Sequence, residues 1–311
     1  MNGKIPFCRI IALICWCLFC CAAPASTQEL RVGDRPGSET GLSLLAAYAH
    51  QFDATLHTGG DFHVDRYFLR MDGFKRHSDV LSLGVGVAYD VSDYSFSGNA
   101  AVPVRTPWDQ VHVLTLSATG MYSPDEKWRL FVAPSLGVAA GSGADWGDSL
   151  VYGGILWTSF RCTPDLVVGL GAGLFSKPEE FSAFPVVVID WKISDRMRLS
   201  NPLYDGVTGP AGLELSYKFD GGSSVAAGGS YRSQRFRLDD SGGVRGGVGE
   251  DQGFPLWLKL STRVGAQGTL NFLGGVIAGG KLTLEDSHGN TVEEQDYDAS
   301  PFLSSTFSFK F

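Results

Sequence analysis

From Gly41 to its last residue the chain repeats one theme. A segment of about ten residues alternates apolar with small or polar side chains, turn residues follow, and another such segment begins. In Val80–Asp90, Leu81, Leu83, Val85, Val87 and Tyr89 share one face and Ser82, Gly84, Gly86 and Ala88 the other. In 130–140, Leu130, Val132, Leu136 and Val138 oppose Arg129, Ser135 and Gly137. Leu213, Leu215, Tyr217 and Phe219 oppose Glu214, Ser216 and Lys218, and Leu256, Leu258, Leu260 and Val264 oppose Lys259, Ser261 and Arg263. Successive side chains of a strand point to opposite faces, so each segment has an oily face and a hydrophilic one. Helical periodicity is absent. Alternation alone does not say whether the oily faces meet each other or lipid.

The two ends bear on that question. Lys4 and Arg9 precede an uninterrupted apolar run, Ile10 to Ala23, and Ala23-Pro24-Ala25 offers small residues for cleavage. The run is short for a spanning helix, so residues 1–25 read as an exported signal peptide. Residues 26–40 are polar, with Pro36, and read as a flexible periplasmic segment; 41–311 form the repeating body. Five of the six cysteines lie in the leader, leaving Cys162, so no internal disulfide can form. Cys162 is expected to be a packed small residue. Losing the two positive charges of the leader moves the net charge from −8 to −10, which argues against a nucleic-acid partner. No second long apolar run exists, so a membrane-spanning form must be a closed barrel, in which every backbone polar group is paired. At the other end, Phe307, Phe309 and Phe311 share a face with Leu303, opposite Ser304, Thr306, Ser308 and Lys310.

Strands are expected near 42–54, 62–72, 79–89, 109–121, 128–140, 150–161, 165–175, 183–193, 196–203, 211–219, 224–238, 254–265, 269–284 and 302–311. The connections then alternate between short ones, such as Cys162-Thr163-Pro164 and Ala266-Gln267-Gly268, and long ones, such as Val91 to Trp108, Asp239 to Gly253 and Glu285 to Pro301. Sorting of loops by parity and an even strand count with both termini on one side fit an all-β, transmembrane antiparallel up-and-down barrel of about fourteen strands. The second and ninth segments carry the weakest pattern; without one hairpin the count is twelve. Pro134, Pro185 and Pro255 fall inside strands and should mark bulges or strand ends. Aromatics near strand ends, among them Tyr122, Trp128, Trp157, Phe160, Trp191, Tyr204 and Trp257, fit interfacial girdles.

Leader, two-faced segments, loop parity and terminal Phe together resemble Gram-negative outer-membrane β-barrel proteins across the whole mature chain. More narrowly, Val187-Val188-Ile189-Asp190-Trp191 and Ser230 to Leu238 resemble an uncharacterised barrel family known only as a domain of unknown function. The resemblance implies residence in the cell outer membrane, contact with its lipid and lipopolysaccharide, and a last strand, through Phe307, Phe309 and Phe311, read by the barrel assembly machinery.

Candidate functional groups are few. Asp190, Lys192, Glu214, Lys218, Lys259 and Arg263 are expected to line the lumen with mixed charge. Gly84, Gly86, Gly169, Gly171, Gly173, Gly275 and Gly279 are expected to leave aqueous space beside them. Glu285, Asp286, Glu293, Glu294, Asp296 and Asp298, with Asp239, Asp240, Glu250 and Asp251, are expected to make the external loops acidic. His50, His57 and His63, near Asp53 and Asp61, read as solvated loop residues rather than a metal site. His112 and Ser117 fall on opposite faces of a strand and cannot act together. No catalytic residue, metal or cofactor is expected. The expected function is a passive channel for small polar solutes. The alternatives are a closed barrel acting as a surface interaction or structural module through its acidic loops and, last, an interfacial hydrolase or acyltransferase.

Overall fold

The computed structural model describes residues 40–98, 107–202, 208–209, 211–241 and 243–311. The leader, nearly all of the segment 26–40, and Tyr204 lie outside the described residues. The first strands are β1 (Thr40–Thr55), β2 (Asp61–Arg76), β3 (Leu81–Ser97), β4 (Gln110–Tyr122) and β5 (Trp128–Gly141). Next come β6 (Leu150–Thr163), β7 (Leu166–Lys177), β8 (Glu180–Lys192), β9 (Met197–Ser200) and β10 (Ala211–Lys218). The last are β11 (Ser224–Arg237), β12 (Val248–Val264), β13 (Gly268–Glu285), β14 (Thr291–Tyr297) and β15 (Ser300–Lys310).

Each strand from β1 to β12 pairs antiparallel with the next, β12 pairs with β13, β13 with β15, and β15 with β1. Fourteen strands therefore close a ring without a free edge. β14 is a side strand on β13, joined to the start of the barrel by the Leu56–Tyr297 bridge. Closure brings Phe309 opposite Leu44 on one side and Gly268 on the other. The rows identified in the sequence lie outward: Leu83, Val85, Leu130, Val132, Leu136, Leu256, Leu258, Leu260 and Leu303 are exposed. A row of exposed leucines on every side is untenable in water and natural against hydrocarbon.

The second segment, weakly patterned in sequence, is a full strand because its inward residues include Phe62, Val64 and Phe68, buried against other lumen groups rather than facing water. The ninth is cut to four residues. Asn201 ends it by turning its side chain on the wall: Nδ2 donates to the carbonyls of Val187 and Gly212, and Oδ1 accepts from Ile189 N–H. Of the three prolines, only Pro255 lies next to a bulge, between Gln252 and Phe254. Pro134 and Pro185 keep register, Pro134 by forgoing two pairs with β4 and Pro185 because β9 reaches only Asp190–Lys192.

Connections at one end are all tight: 77–80, 123–127, 164–165, 193–196, 219–223 and 265–267. Their chemistry is local. Asp125 Oδ1 accepts from the backbone N–H of Trp128 and Lys127, both at 2.7 Å, which holds its carboxyl below the ordinary range. Gly222 and Gly265 supply the positive φ their turns require. At the other end, the loop end, the parity is imperfect, since β7 and β8 are joined by only Pro178 and Glu179. Exposed Tyr122, Trp128, Trp191, Phe219 and Phe311 collect near the tight turns. Trp157 and Trp257, expected among them, instead point inward and are buried. Cys162, expected to be packed, is exposed.

Inward glycines lie close against the neighbouring strands. A Cβ on Gly173 would stand 2.5 Å from Phe184 Cε2 and one on Gly228 2.5 Å from Trp257 Cζ2, whereas one on Gly171 would meet backbone, the Leu156 carbonyl and, at 2.6 Å, Trp157 Cα. Gly171→Ala is therefore expected to cost about 1–3 kcal/mol through overpacking, read as a lower urea midpoint in detergent micelles. An unchanged midpoint would mean that the β6–β7 wall yields freely.

Candidate functional site in the barrel interior

At the loop end the strands leave the wall. In β11, Arg235, Phe236 and Arg237 are all buried, and in β13 so are Leu282, Thr283 and Leu284, although neighbours on a strand face opposite ways. A wall strand has one face on lipid; a stretch buried on both faces has folded into the barrel. Arg237 pairs with Ala140 of β5, six strands away around the sheet, which only a path across the interior allows. Phe62, Tyr94, Trp108, Phe236, Leu282 and Tyr297 belong to the apolar cluster that fills this level, with Trp108 and Phe236 edge to face at 5.2 Å.

Two arginines clasp the inward fold. Arg235 donates to Glu285 and Glu250 and, through Nε, to the Pro178 carbonyl at 2.8 Å. Arg237 donates to Glu179 at 2.7 Å, to the Asp148 carbonyl at 3.1 Å and to the Gly246 carbonyl at 2.8 Å. Glu179 is the one non-glycine residue with positive φ among the described residues, at 54°. That conformation carries a steric cost, and here it presents a carboxylate to Arg237.

Beneath the apolar cluster lies a buried ionic network. Asp251 Oδ2 accepts from Arg66 Nη2 at 2.8 Å, Arg232 Nη2 at 2.7 Å and Tyr94 Oη at 2.9 Å; Oδ1 accepts from Tyr297 Oη at 3.0 Å. Arg66 Nη1 also donates to Gln51 Oε1 at 2.9 Å. Asp251 is 0 % exposed, Arg66 2 % and Arg232 4 %, so the network is shielded from bulk solvent. The expectation that Glu250 and Asp251 belong to an acidic external loop is thus corrected: both lie in β12, because the strand starts at Val248. Glu293, Glu294 and Asp296 likewise lie in β14, and β3 runs on to Ser97 where a loop from Val91 was expected.

Toward the tight-turn end the charges pair along the wall. Glu214 Oε1 accepts from Lys259 Nζ at 2.6 Å and Oε2 from Trp257 Nε1 at 3.0 Å. Asp190 is buried and chelated by Arg198, and Arg70 grips Asp72 two residues on. Lys192 forms an exposed pair with Asp195 at the turn, 2.7 Å. Lys218 and Arg263 lie exposed at the tight-turn ends of β10 and β12. Phe131 and Trp157 stack at 4.9 Å on the inner wall.

Outside, the histidines make separate pairs: His50 with Asp65 at 2.9 Å, His63 with Asp53 at 3.2 Å and His57 with Asp298 at 3.3 Å. Among the described residues no group of three or more His, Cys, Asp or Glu could hold a metal ion. His112 Nδ1 bonds Tyr89 Oη at 2.8 Å, while Ser117 Oγ donates to the Gly86 carbonyl.

The chain shares its barrel fold with a solved outer-membrane channel. Against solved structures it is similar to the COG4313 outer membrane channel from Pseudomonas putida F1, with a TM-score of 0.51, 14% identity, and 92% of this chain and 100% of that chain covered. It is also similar to the Pseudomonas putida toluene transporter TodX, with a TM-score of 0.43, 10% identity, and 92% and 96% covered. No family model and no curated protein matches the chain, so the narrower resemblance to an uncharacterised barrel family gains no support.

Proposed function

We propose that the protein is an integral outer-membrane channel for small polar solutes, with the tight turns toward the periplasm and the inward-folded hairpins at the external mouth. The observation that carries this reading is the closed fourteen-strand ring with lipid-compatible rows outside and ionised groups within. Glu214, Lys259, Asp190 and Arg198 face the interior rather than the lipid-compatible rows, and Lys259 and Arg198 keep part of their side chains exposed there. In this reading the paired charges of both signs line the turn-end vestibule, with Lys218 and Arg263 at its rim, and favour neither cations nor anions strongly there. The assembly machinery, lipopolysaccharide and outer-membrane lipid are the partners that a barrel of this kind requires, and Phe307, Phe309 and Phe311 the terminal signal.

One observation favours the second reading, a closed barrel acting through its surface: hairpins fill the mouth. Refolded protein in planar bilayers separates the two. Discrete conductance steps are expected; silence at all voltages would reject the channel. Deleting Phe311 is expected to lower membrane insertion sharply in cells, scored by heat-modifiable mobility of the folded barrel, and unimpaired insertion would count against the terminal signal.

A further inference from the structure

We propose that Arg66 and Arg232 form a carboxylate-binding site inside the barrel, occupied by Asp251 as a tethered anion while the mouth is closed and by the carboxylate of a small organic anion during passage. The inference rests on the channel reading and deepens it by naming the cargo class. Two guanidinium groups, on strands five places apart around the sheet, converge on one oxygen of one carboxylate, and two phenols complete the shell. A planar guanidinium is the side chain suited to carboxylate recognition.

The donor supply exceeds what Asp251 takes. Arg66 Nε, Arg232 Nε, Arg232 Nη1 and Gln51 Nε2 are buried without a hydrogen-bond partner. Asp90, the other buried acid within electrostatic reach of both arginines, bonds Ser92 instead. Donors left over in this number mark a place that can take more acceptor oxygens than the closed state provides.

Asp251 is the one carboxylate that both guanidinium groups share. Asp251 sits at the loop end of β12, within the hairpin that folds inward, one residue before the Gln252–Phe254 bulge. Arg66 belongs to β2, paired with β1 and β3, whereas Arg232 lies on β11 opposite Gly253, in the same hairpin as Asp251. In this proposal the mouth opens by drawing the start of β12 away from both Arg66 on β2 and Arg232 on β11, which removes their counter-ion. A solute carboxylate compensates their positive charge; the hydroxyl groups of a neutral sugar do not.

The full chain, refolded into micelles and liposomes, tests this in two arms. In the first, Asp251→Ala is unfolded with urea in sodium acetate and in sodium chloride at equal ionic strength. Acetate is expected to raise the midpoint of Asp251→Ala but not that of the wild type, and the gain should vanish in Asp251→Ala/Arg232→Gln. Should Asp251→Ala refold poorly, its refolding yield in acetate against chloride is the readout. No acetate-specific effect overturns the site. In the second, liposome swelling compares gluconate with glucose. Wild-type protein is expected to pass gluconate several-fold faster, with the ratio falling toward one in Arg232→Gln. Equal rates for both solutes in the wild type, unchanged by Arg232→Gln, overturn the cargo class and leave the channel standing. Liposomes that pass neither overturn the channel and the cargo class together.

Discussion

Asp251→Ala is expected to destabilise the folded barrel by about 3–5 kcal/mol, the cost of removing one partner from a buried ion pair. The lost attraction is only part of it. Arg66 and Arg232 are nearly inaccessible to water and cannot shed their charge, and Tyr94 and Tyr297 lose the acceptor of their hydroxyl groups. Urea titration in micelles, followed by tryptophan emission, measures the effect. Asp251→Asn should cost less, because the amide oxygen still accepts two or three of the four hydrogen bonds. A midpoint for Asp251→Ala equal to that of the wild type would show that water already reaches the arginines.

The second large effect is functional. Arg235→Gln/Arg237→Gln is expected to enlarge the single-channel conductance several-fold and to make the traces noisier. Arg235 and Arg237 tie the inward-folded end of β11 to four other elements: the β7–β8 turn through Pro178 and Glu179, the β5–β6 connection through the Asp148 carbonyl, the start of β12 through Glu250, and the end of β13 through Glu285. The shorter, neutral glutamines lose the ion pairs, while the apolar cluster remains. The mouth should then open more often without the barrel coming apart. Glu179 is a third exposed, so high salt should act on the wild type in the same direction. Conductance steps no larger than those of the wild type would place the constriction elsewhere, at the Glu214–Lys259 level or below.

The wall of the barrel was legible in the sequence because its signal is local. Leu83, Val85 and Val87 need only alternate with Ser82, Gly84 and Gly86 for their side to be known, and the tight turns announce where each strand reverses. The same local rule failed where a strand left the wall. Arg235-Phe236-Arg237 has the period of a strand but no row fit for lipid, and that mismatch was the available sign that this stretch lies inside. Trp257 lies near a strand end, where girdle aromatics fall, yet its parity with Lys259 already puts it on the inner face. What stands beside an inward glycine is not legible along its own strand, since it belongs to a neighbouring one.

By itself, then, the sequence determined the two-faced strands, their order and the closed ring, because period-two patterning is written residue by residue and pairing follows chain order. Only the tertiary structure decided what fills the ring. Arg66 finds Asp251 across 185 positions of sequence, and Arg237 finds β5 across the interior. Such partners are chosen by which side chains closure brings face to face, and no pattern along one strand carries that information.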